Sequence, residues 1–368
     1  MLRRFGSARA ALDMLPRLAR RSERSKIVTA VTRAAAEAEL TAIHKAGARI
    51  ICWGEPVYPN ALAAIDDAPP VLTVLGRAEL LQKPMMAVVG ARNASANGRR
   101  FCRDLAASLG RAGVVVVSGL ARGIDAAGNH GDAACFESSQ MSGGVDVVYP
   151  PENRGLHDAL ASGGVIVAEL PLGTEPQARH FPRRNRIISG MALGVVVVEA
   201  AARSGSLITA RLALEQGRDV FAVPGSPLDP RCRGSNDLIR HGAILTEGAE
   251  DVLSQLGLAL AQATTQHAAT PGQIPATSSW LPMRTDQLIA DDAGPELVVE
   301  RLGPTPVAVD ELVRQCHLSA AAVATLLLEL ELAGRVERHP GNLVSLRYHL
   351  RAIEQALARS VRRARPLL

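Results

Sequence analysis

The feature that most constrains the fold is a series of short apolar runs separated by segments with helical periodicity. The runs occupy residues 85–89, 114–117, 165–168, 195–198 and 220–223, and the clearest helical patterns between them are 98–111 and 207–216. Short apolar runs that alternate with helices are typical of strands buried on both faces of a parallel sheet. The sequence therefore predicts an α/β domain with a parallel sheet over residues 82–256.

The rest of the 368-residue chain divides by composition into further regions. Residues 1–81 form an alanine- and arginine-rich region, helical over 30–46, that ends in a proline-punctuated lead-in to the sheet. Residues 257–292 are rich in Ala, Thr, Gln, Pro and Ser, which is the composition of a linker. A compact unit follows over 293–350, and residues 351–368 form a basic tail.

The compact C-terminal unit has the pattern of a winged helix. Helices are predicted over 296–302, 309–315 and 320–332, and a tight turn at 339–342 joins two short strands. The third helix of such a unit usually enters the major groove of DNA, but residues 320–332 contain no Arg, Lys, Asn or Gln, and acids outnumber arginines in the unit. A duplex reader is locally basic. We therefore expect this module to contact protein or to have a structural role.

Charge and cysteine content indicate which ligands and which cellular compartment suit the protein. The formal net charge is +5, and all but three of the 41 basic residues are arginine. Genome composition can cause this preference for arginine over lysine. Whatever its cause, the guanidinium group suits phosphate. The five cysteines form no CxxC motif and fit no zinc spacing, so we expect free thiols in a reducing cytoplasm. No apolar run approaches the roughly 20 residues that a membrane helix needs.

The first apolar run ends in a glycine loop that leads into a helical pattern and contains Gly90, Arg92 and Ser95. A strand, a glycine loop and a helix start form an anion site, because backbone amides at a helix N-terminus attract phosphate. Arg92 stands where a dinucleotide-binding fold has its second glycine. Its side chain would crowd a pyrophosphate but can clasp a single phosphate. A plain strand-to-helix turn is the alternative.

The second run ends in a loop with Ser118, Gly119 and Arg122. Gly119 permits a sharp turn, Asp125 can cap the next helix, and Arg122 is free to face a ligand. Ligands gather beyond the carboxyl ends of parallel strands. We therefore expect this loop to lie beside the Arg92 loop at one edge of the sheet.

A basic cluster with an aromatic neighbour follows later in the chain and comprises Phe181, Arg183, Arg184, Asn185 and Arg186. Nucleic-acid phosphates and stacked bases need this combination of side chains. Three cations within one helical turn cannot all face one ligand, so we expect one or two to bind and the rest to pair with acids. A solvated run of charges is the alternative.

A fourth loop, with Ser204, Gly205 and Ser206, joins a strand to a helix and offers a second anion-type helix start. Glu199 just before it could orient an arginine of the basic cluster. The sequence has no GxSxG or HExxH motif, and its acidic residues near these loops are not paired at short spacing. The loops therefore predict a binding site without a catalytic nucleophile, a metal or a cofactor.

Taken as a set, these motifs resemble those of the DNA-processing protein A family (DprA/Smf). The resemblance spans about residues 37–253 and resumes at the C-terminal winged helix. It includes the segments 90–92, 118–125, 149–153, 181–188, 204–209 and 221–225. It implies an extended Rossmann-like domain that binds single-stranded DNA. It also implies a homodimer that protects incoming DNA and hands it to the RecA recombinase during natural transformation, without enzymatic turnover.

The resemblance also assigns roles to residues. Arg92 matches the family's phosphate-contacting arginine, Arg183, Arg184 and Arg186 fall on a motif that lines the same pocket, and residues 204–206 would complete it. Residues 134–144 depart from the family, which has an apolar strand here. A strand made of Glu-Ser-Ser-Gln would bury unpaired polar groups, so either a loop replaces it or the recorded sequence is in error.

Two other functions fit parts of the sequence. A Rossmann-like nucleotide hydrolase of the lysine-decarboxylase-like group would use Glu199 beside the 204–206 loop, although this chain lacks that group's Pro-Gly-Gly-x-Gly-Thr motif. Release of free base from a nucleotide monophosphate would favour it. A winged-helix regulator with a small-molecule sensor domain would instead give a sequence-specific footprint on duplex DNA.

Overall fold

The structure is a computed structural model that describes residues 6–20, 31–128, 137–140, 143–266, 295–316, 318 and 320–347. Within these residues the chain forms a large α/β unit and a smaller C-terminal unit, as the sequence predicts. No helix in the described part of the chain is long and apolar enough to cross a bilayer.

The large unit is built on one sheet, which has nine strands within the described residues, in the order β1-β2-β6-β5-β4-β3-β7-β8-β9. The strands are β1 (Ala48–Cys52), β2 (Val71–Gly76), β3 (Met85–Gly90), β4 (Val115–Ser118), β5 (Glu137–Gln140), β6 (Val165–Ala168), β7 (Gly194–Val198), β8 (Asp219–Ala222) and β9 (Ile244–Leu245). All pairs from β6 to β9 are parallel, whereas β1 and β2 join antiparallel beside β6. Each of the five apolar runs overlaps a strand to within one residue, which confirms the predicted parallel sheet.

Helices cover both faces of the sheet. They are α1 (Ala8–Arg20), α2 (Arg33–Lys45), α3 (Asn60–Ala63), α4 (Ala96–Arg111), α5 (Ile124–Gly128), α6 (Arg154–Gly163), α7 (His180–Met191), α8 (Ser206–Glu215), α9 (Arg233–Arg240) and α10 (Ala249–Gln266). Successive strand residues face opposite sides, so Val89 packs with α7 and α8 in one core while Val88 packs with α4, α5 and α10 in another. The carboxyl ends of β3, β4 and β7 therefore emerge between helices of both layers.

The polar segment that departs from the family pattern does form a strand. Glu137–Gln140 pairs in parallel with β4 on one side and β6 on the other. The two flanking strands supply hydrogen-bond partners for the backbone of this segment, whatever its side chains are. The segment is therefore a strand although its polar composition favours a loop. Of the two alternatives that the sequence leaves open, replacement of the strand by a loop does not hold for these four residues.

Two of the domain boundaries expected from the sequence differ from those of the structure. β1 and β2 precede residue 82 but belong to the main sheet, so the sheet itself begins at Ala48. Helix α10 continues to Gln266, beyond the start of the expected linker at 257. Residues 267–294 and the predicted basic tail at 351–368 lie outside the described residues.

The C-terminal unit has the helices and hairpin of a winged helix, which confirms the sequence pattern. Its elements are α11 (Pro295–Arg301), β10 (Val307–Ala308), α12 (Val309–Cys316), α13 (Ala320–Leu332), β11 (Val336–His339) and β12 (Leu343–Leu346). Strand β10, which the sequence analysis does not predict, pairs with β12 and completes a three-stranded sheet. Helix α12 packs on α4 of the large unit, and Ala96 of α4 is buried in the winged-helix core.

Candidate nucleic-acid interface

The candidate site lies where β3 and β4 end, and two glycines there allow elements to approach closely. A Cβ atom on Gly90 would lie 1.9 Å from the carbonyl oxygen of Val198 on β7. A Cβ atom on Gly119 would lie 1.9 Å from Nη1 of Arg184, which reaches over from α7. Any larger side chain at Gly119 would therefore push Arg184 out of its position.

Arg184 is the buried cation of the site. Its guanidinium donates to the carbonyl oxygen of Gly119, while the amide of Gly119 donates to Oδ2 of Asp125 at 3.1 Å. Burial lowers the pKa of Arg184 to about 10, Asp125 opposes that shift, and Arg92 adds to it. Burial also raises the pKa of Asp125, and the charge of Arg184 counteracts it. Asp125 therefore stabilises the Gly119 loop and the charged form of Arg184, a role beyond the helix cap that the sequence predicts.

An arginine–aromatic surface is formed by Arg92, Tyr149, Phe181 and Arg184. The guanidinium carbon of Arg92 lies 5.4 Å from the centroid of the Phe181 ring, and that of Arg184 lies 5.9 Å from it. Tyr149 meets Phe181 edge to face, with ring centroids 5.9 Å apart. Arg92 is exposed, and no carboxylate among the described residues pairs with it. This surface combines an unneutralised cation with accessible aromatic rings.

Tyr149 is the member of this surface that the sequence analysis does not assign to the site. It precedes two prolines in the segment 149–153, and it is 49% exposed although it packs on Phe181. An aromatic residue directly before two prolines is the sequence signal that could have pointed to it. The sequence gives no indication that this turn lies beside α7.

The three arginines of α7 have different surroundings, as the geometry of one helical turn requires. Arg184 is buried at the loop, whereas Arg183 is exposed and lies 3.7 Å from Glu169. Arg186 donates to the carbonyl oxygen of Asp67 at 2.7 Å and pairs with Glu169. Arg186 is thus held by acids and backbone, which agrees with the expectation that some members of the cluster pair with acids.

Other candidate residues are engaged in local structure. Arg122 forms an exposed ion pair with Glu152. Ser118 is fully buried, and its hydroxyl donates to the carbonyl oxygen of Asp125 at 3.4 Å. Asn185 is half-buried, and its carbonyl accepts from Ser189 Oγ at 3.2 Å.

Ser95 and Glu199 join the ends of β3 and β7. Ser95 Oγ accepts from the amide of Gly98 at 3.0 Å and so caps the N-terminus of α4. The Ser95 amide donates to Glu199 Oε2 at 2.8 Å, and its hydroxyl donates to Oε1 of the same carboxylate. Glu199 has a φ of 52°, in the left-handed region that non-glycine residues seldom adopt. The carboxylate therefore fixes Ser95, and the expectation that it orients an arginine of the basic cluster is wrong.

The loop at residues 204–206 lies beyond β7. Its two hydroxyls, of Ser204 and Ser206, are 2.7 Å apart, and Gly205 between them is exposed. Among the described residues, neither hydroxyl bonds to the arginine–aromatic surface. The structure thus brings Arg92, Phe181 and Arg184 together directly, and the role of this loop in binding stays a prediction.

Comparison with known protein families matches each unit of this architecture. The family model for DNA recombination-mediator protein A matches residues 49–257, the DprA winged helix domain matches 282–342, and the DprA-like N-terminal HHH domain matches 1–42. Together these three models span the sheet, the winged helix and the N-terminal helices.

Individual relatives agree with the family models. Protein Smf of Escherichia coli is 39% identical over 293 residues, which cover 79% of this chain and 75% of that protein. DNA processing protein DprA of Bacillus subtilis is 43% identical over 223 residues, which cover 59% and 74%.

Solved structures show the same likeness. DNA processing protein A of Streptococcus pneumoniae aligns with a TM-score of 0.56 and 38% identity over 61% of this chain and 78% of that chain. DNA processing protein A of Helicobacter pylori, described for its single-stranded DNA binding mode, aligns with a TM-score of 0.52 and 25% identity over 57% and 95%. The sheet, the winged helix, the motif loops and these relatives agree, and the chain belongs to the DprA/Smf family of DNA recombination mediators.

Proposed function

We propose that this protein binds single-stranded DNA on the arginine–aromatic surface and delivers it to the RecA recombinase during DNA uptake. The observation that carries the proposal is the contact of exposed Arg92 with the Phe181 ring. A guanidinium that faces solvent can take a backbone phosphate, and the adjacent ring can stack on a base. The Helicobacter pylori relative, whose single-stranded DNA binding has been described, supports the same ligand here.

The geometry favours a single strand over a duplex. Bases of a single strand expose their faces to aromatic side chains, whereas bases of a duplex are already stacked on each other. Phe181 and Tyr149 lie edge to face at one end of the sheet, beside the cations Arg92 and Arg184. Such a surface contacts phosphates and stacks on bases, and neither interaction depends on which base is present. We therefore expect binding with little sequence preference and a strong dependence on salt.

We further propose that the site works by binding and not by turnover. The carboxylates of Asp125 and Glu199, which follow β4 and β7, are already engaged in structure. Asp125 accepts from the Gly119 amide, and Glu199 accepts from Ser95. A general base must have a lone pair within reach of substrate. These contacts make a nucleotide hydrolase that relies on Glu199 a poor match for this geometry.

The delivery step, the homodimer and a cytoplasmic location are part of the proposal and rest on membership of the family. A mediator that hands DNA to RecA acts where RecA acts, in the cytoplasm. Cys52, Cys232 and Cys316 are free thiols, which suits a reducing compartment. Two copies would present two arginine–aromatic surfaces to one strand and so raise its apparent affinity.

Binding and delivery can be tested in sequence. Fluorescence anisotropy with labelled oligo-dT and a matched duplex, at low and moderate salt, should show tight and salt-sensitive binding of the single strand. Weak binding of oligo-dT at low salt would overturn the proposal. RecA filament formation on DNA already coated by a single-strand binding protein should then start sooner when this protein is present. An unchanged lag would overturn the delivery step alone, and a sedimentation experiment would decide the homodimer.

A further inference from the structure

The winged helix is held on the large unit through its helix α12. Nη2 of Arg103 on α4 lies 3.0 Å from Oε1 of Glu311 on α12. Nε2 of Gln315 donates to the carbonyl oxygen of Ala96 at 3.4 Å. Helix α13 packs on α11, α12 and β11 of its own unit. The outer face of α13 is therefore the surface of the winged helix whose partner has to be identified.

This outer face carries an exposed apolar stripe. Leu332 is 81% exposed and Leu328 is 52% exposed. Residues four apart share one face of a helix, so exposed Ala324 continues the stripe, here called the α13 stripe. The opposite face of the same helix is apolar as well, because Val323 and Leu327 are buried in the winged-helix core. A helix that is apolar all round is one that is buried on all sides.

Acidic side chains border the α13 stripe. Each residue turns a helix by about 100°, so Glu329 and Glu331 fall on opposite sides of Leu328. Both glutamates are exposed, and Glu331 pairs with Arg338 at 2.9 Å. Phosphates would be repelled by this border, whereas cations would be attracted. The stripe therefore suits a partner segment that is apolar on one face and basic elsewhere.

The chain leaves the described structure beside the end of this stripe. Strand β12 pairs with β11, the strand that follows α13. At the end of β12 the amide of Arg347 donates to the carbonyl oxygen of Arg335 at 2.8 Å, and Arg335 follows Leu332 by a single short turn. Residues 348–368 therefore start next to the C-terminal end of α13.

The sequence of this last segment has the composition that the stripe requires. Apolar residues stand at 350, 353, 357 and 361, which is the spacing of one face of an amphipathic helix. Residues 351–368 contain five arginines and a single acid, Glu354. The residues between Arg347 and Leu350 are enough for a turn, because helices are commonly joined by about 2–8 residues.

We propose that residues 350–361 dock on the α13 stripe of their own chain as a helix antiparallel to α13. Both apolar sets repeat every four residues, so one register satisfies all contacts. It pairs Ile353 with Leu332, Leu357 with Leu328, and Val361 with Ala324. The arginines of the segment then lie near the acidic border of the stripe. This inference goes beyond the proposed function and does not depend on DNA binding.

Hydrogen exchange of the full chain, followed by mass spectrometry, tests the docking. Amides of residues 353–361 should exchange at least about tenfold more slowly than in a synthetic peptide of residues 348–368. Leu328→Gln should bring their exchange close to that of the peptide. Leu40→Gln, at an exposed leucine of α2, is the matched control and should leave it unchanged. Exchange of wild type at the peptide rate, or protection that survives Leu328→Gln, would overturn the proposal.

A cysteine pair tests the register and does not require Leu328→Gln to fold. Leu328→Cys combined with Leu357→Cys should form a disulfide within one chain under a mild oxidant. Leu328→Cys combined with Arg359→Cys is the control, because residue 359 falls on the opposite face of the proposed helix. Wild type, with its five native cysteines, is the blank. Equal yields from the two pairs, or disulfides that join two chains, would overturn docking within one chain.

Oligo-dT separates docking from a direct role of the basic segment in DNA binding. The protection of residues 353–361 should be the same with and without the oligonucleotide. If these amides exchange as the peptide does alone and become protected only with oligo-dT, the segment is a DNA contact and the docking proposal fails. If wild type does not bind oligo-dT, the proposed function fails, and the exchange measured without DNA still decides the docking.

Discussion

The guanidinium of Arg92 lies 5.4 Å from the centre of the Phe181 ring, although the two residues are far apart in the sequence. Arg92 comes from the loop after β3, and Phe181 comes from the first turn of α7. The contact places an exposed cation and an aromatic face side by side. It is the smallest unit that can hold one phosphate and one base of a strand at the same time.

The aromatic side chains should contribute affinity that does not depend on salt. Phe181→Leu should weaken oligo-dT binding by about 5- to 150-fold, because stacking contributes about 1–3 kcal/mol per base, while the salt slope stays unchanged. Tyr149→Leu should have a smaller effect in the same direction. Anisotropy titrations at several salt concentrations measure both quantities. Trp53→Leu, at an exposed aromatic after β1, is the control. Equal affinities for Phe181→Leu and Trp53→Leu would contradict a stacking role.

Substitutions of Arg183 and Arg186 on α7 should separate DNA affinity from the stability of the fold. Arg186→Gln should lower the free energy of unfolding by about 1–3 kcal/mol, because it removes the charged donor to the Asp67 carbonyl oxygen and leaves Glu169 with only the longer pair to Arg183. Its effect on DNA affinity should be small. Arg183→Gln should do the reverse, since Arg183 is exposed and its 3.7 Å pair with Glu169 is longer than the contacts that hold Arg186. Denaturant unfolding and anisotropy on both variants check this contrast, and a reversed pattern would assign Arg186 to the DNA contact.

Gly119 should be required for the position of Arg184. Gly119→Ala puts a methyl group 1.9 Å from Arg184 Nη1, and such overpacking costs about 1–3 kcal/mol. We expect a lower melting temperature together with weaker DNA binding. Gly155→Ala is the matched control, because nothing lies within 4 Å of its Cβ position and alanine favours a helix. A fully stable Gly119→Ala protein with normal DNA affinity would contradict the role given to Arg184.

The seating of the winged helix should weaken in acid. Burial alone would raise the pKa of Glu311, but hydrogen bonds from Gln315 and Arg103 hold it below its usual range. A carboxylate with a depressed pKa stabilises the fold above its unfolded pKa of about 4.3, and that contribution is lost as the pH falls through the lower folded value. Glu311→Gln should therefore melt below wild type at neutral pH, and the difference should shrink below about pH 4. A pH-independent difference would contradict this account.

Much of the sheet could be predicted because its strands are apolar on both faces. The five apolar runs are recognisable from composition, whereas Glu137–Gln140 is a strand only through pairing with β4 and β6. Strands β1 and β2 belong to an antiparallel edge in the proline-rich lead-in, where periodicity is weak. Composition does not show which distant segments pair through backbone hydrogen bonds.

The loops of the site could be predicted, but their partners could not. Gly90, Arg92 and Gly119 follow apolar runs, and such runs locate a sheet edge. The position of Tyr149 beside Phe181, the bond from Ser95 to Glu199 and the pair between Arg103 and Glu311 join segments that are remote in the chain. Which arginine faces a ligand and which pairs with an acid depends on these contacts.

The most direct test of the central claim is the affinity of Arg92→Ala for labelled oligo-dT, measured by anisotropy beside wild type and Arg49→Ala, which removes an exposed arginine from the edge strand β1. We predict that Arg92→Ala weakens binding at least about tenfold and reduces the salt slope by about 1, while Arg49→Ala binds as wild type does. An Arg92→Ala protein that is fully folded and binds oligo-dT as tightly as wild type would contradict the claim that the DNA contact lies on the arginine–aromatic surface.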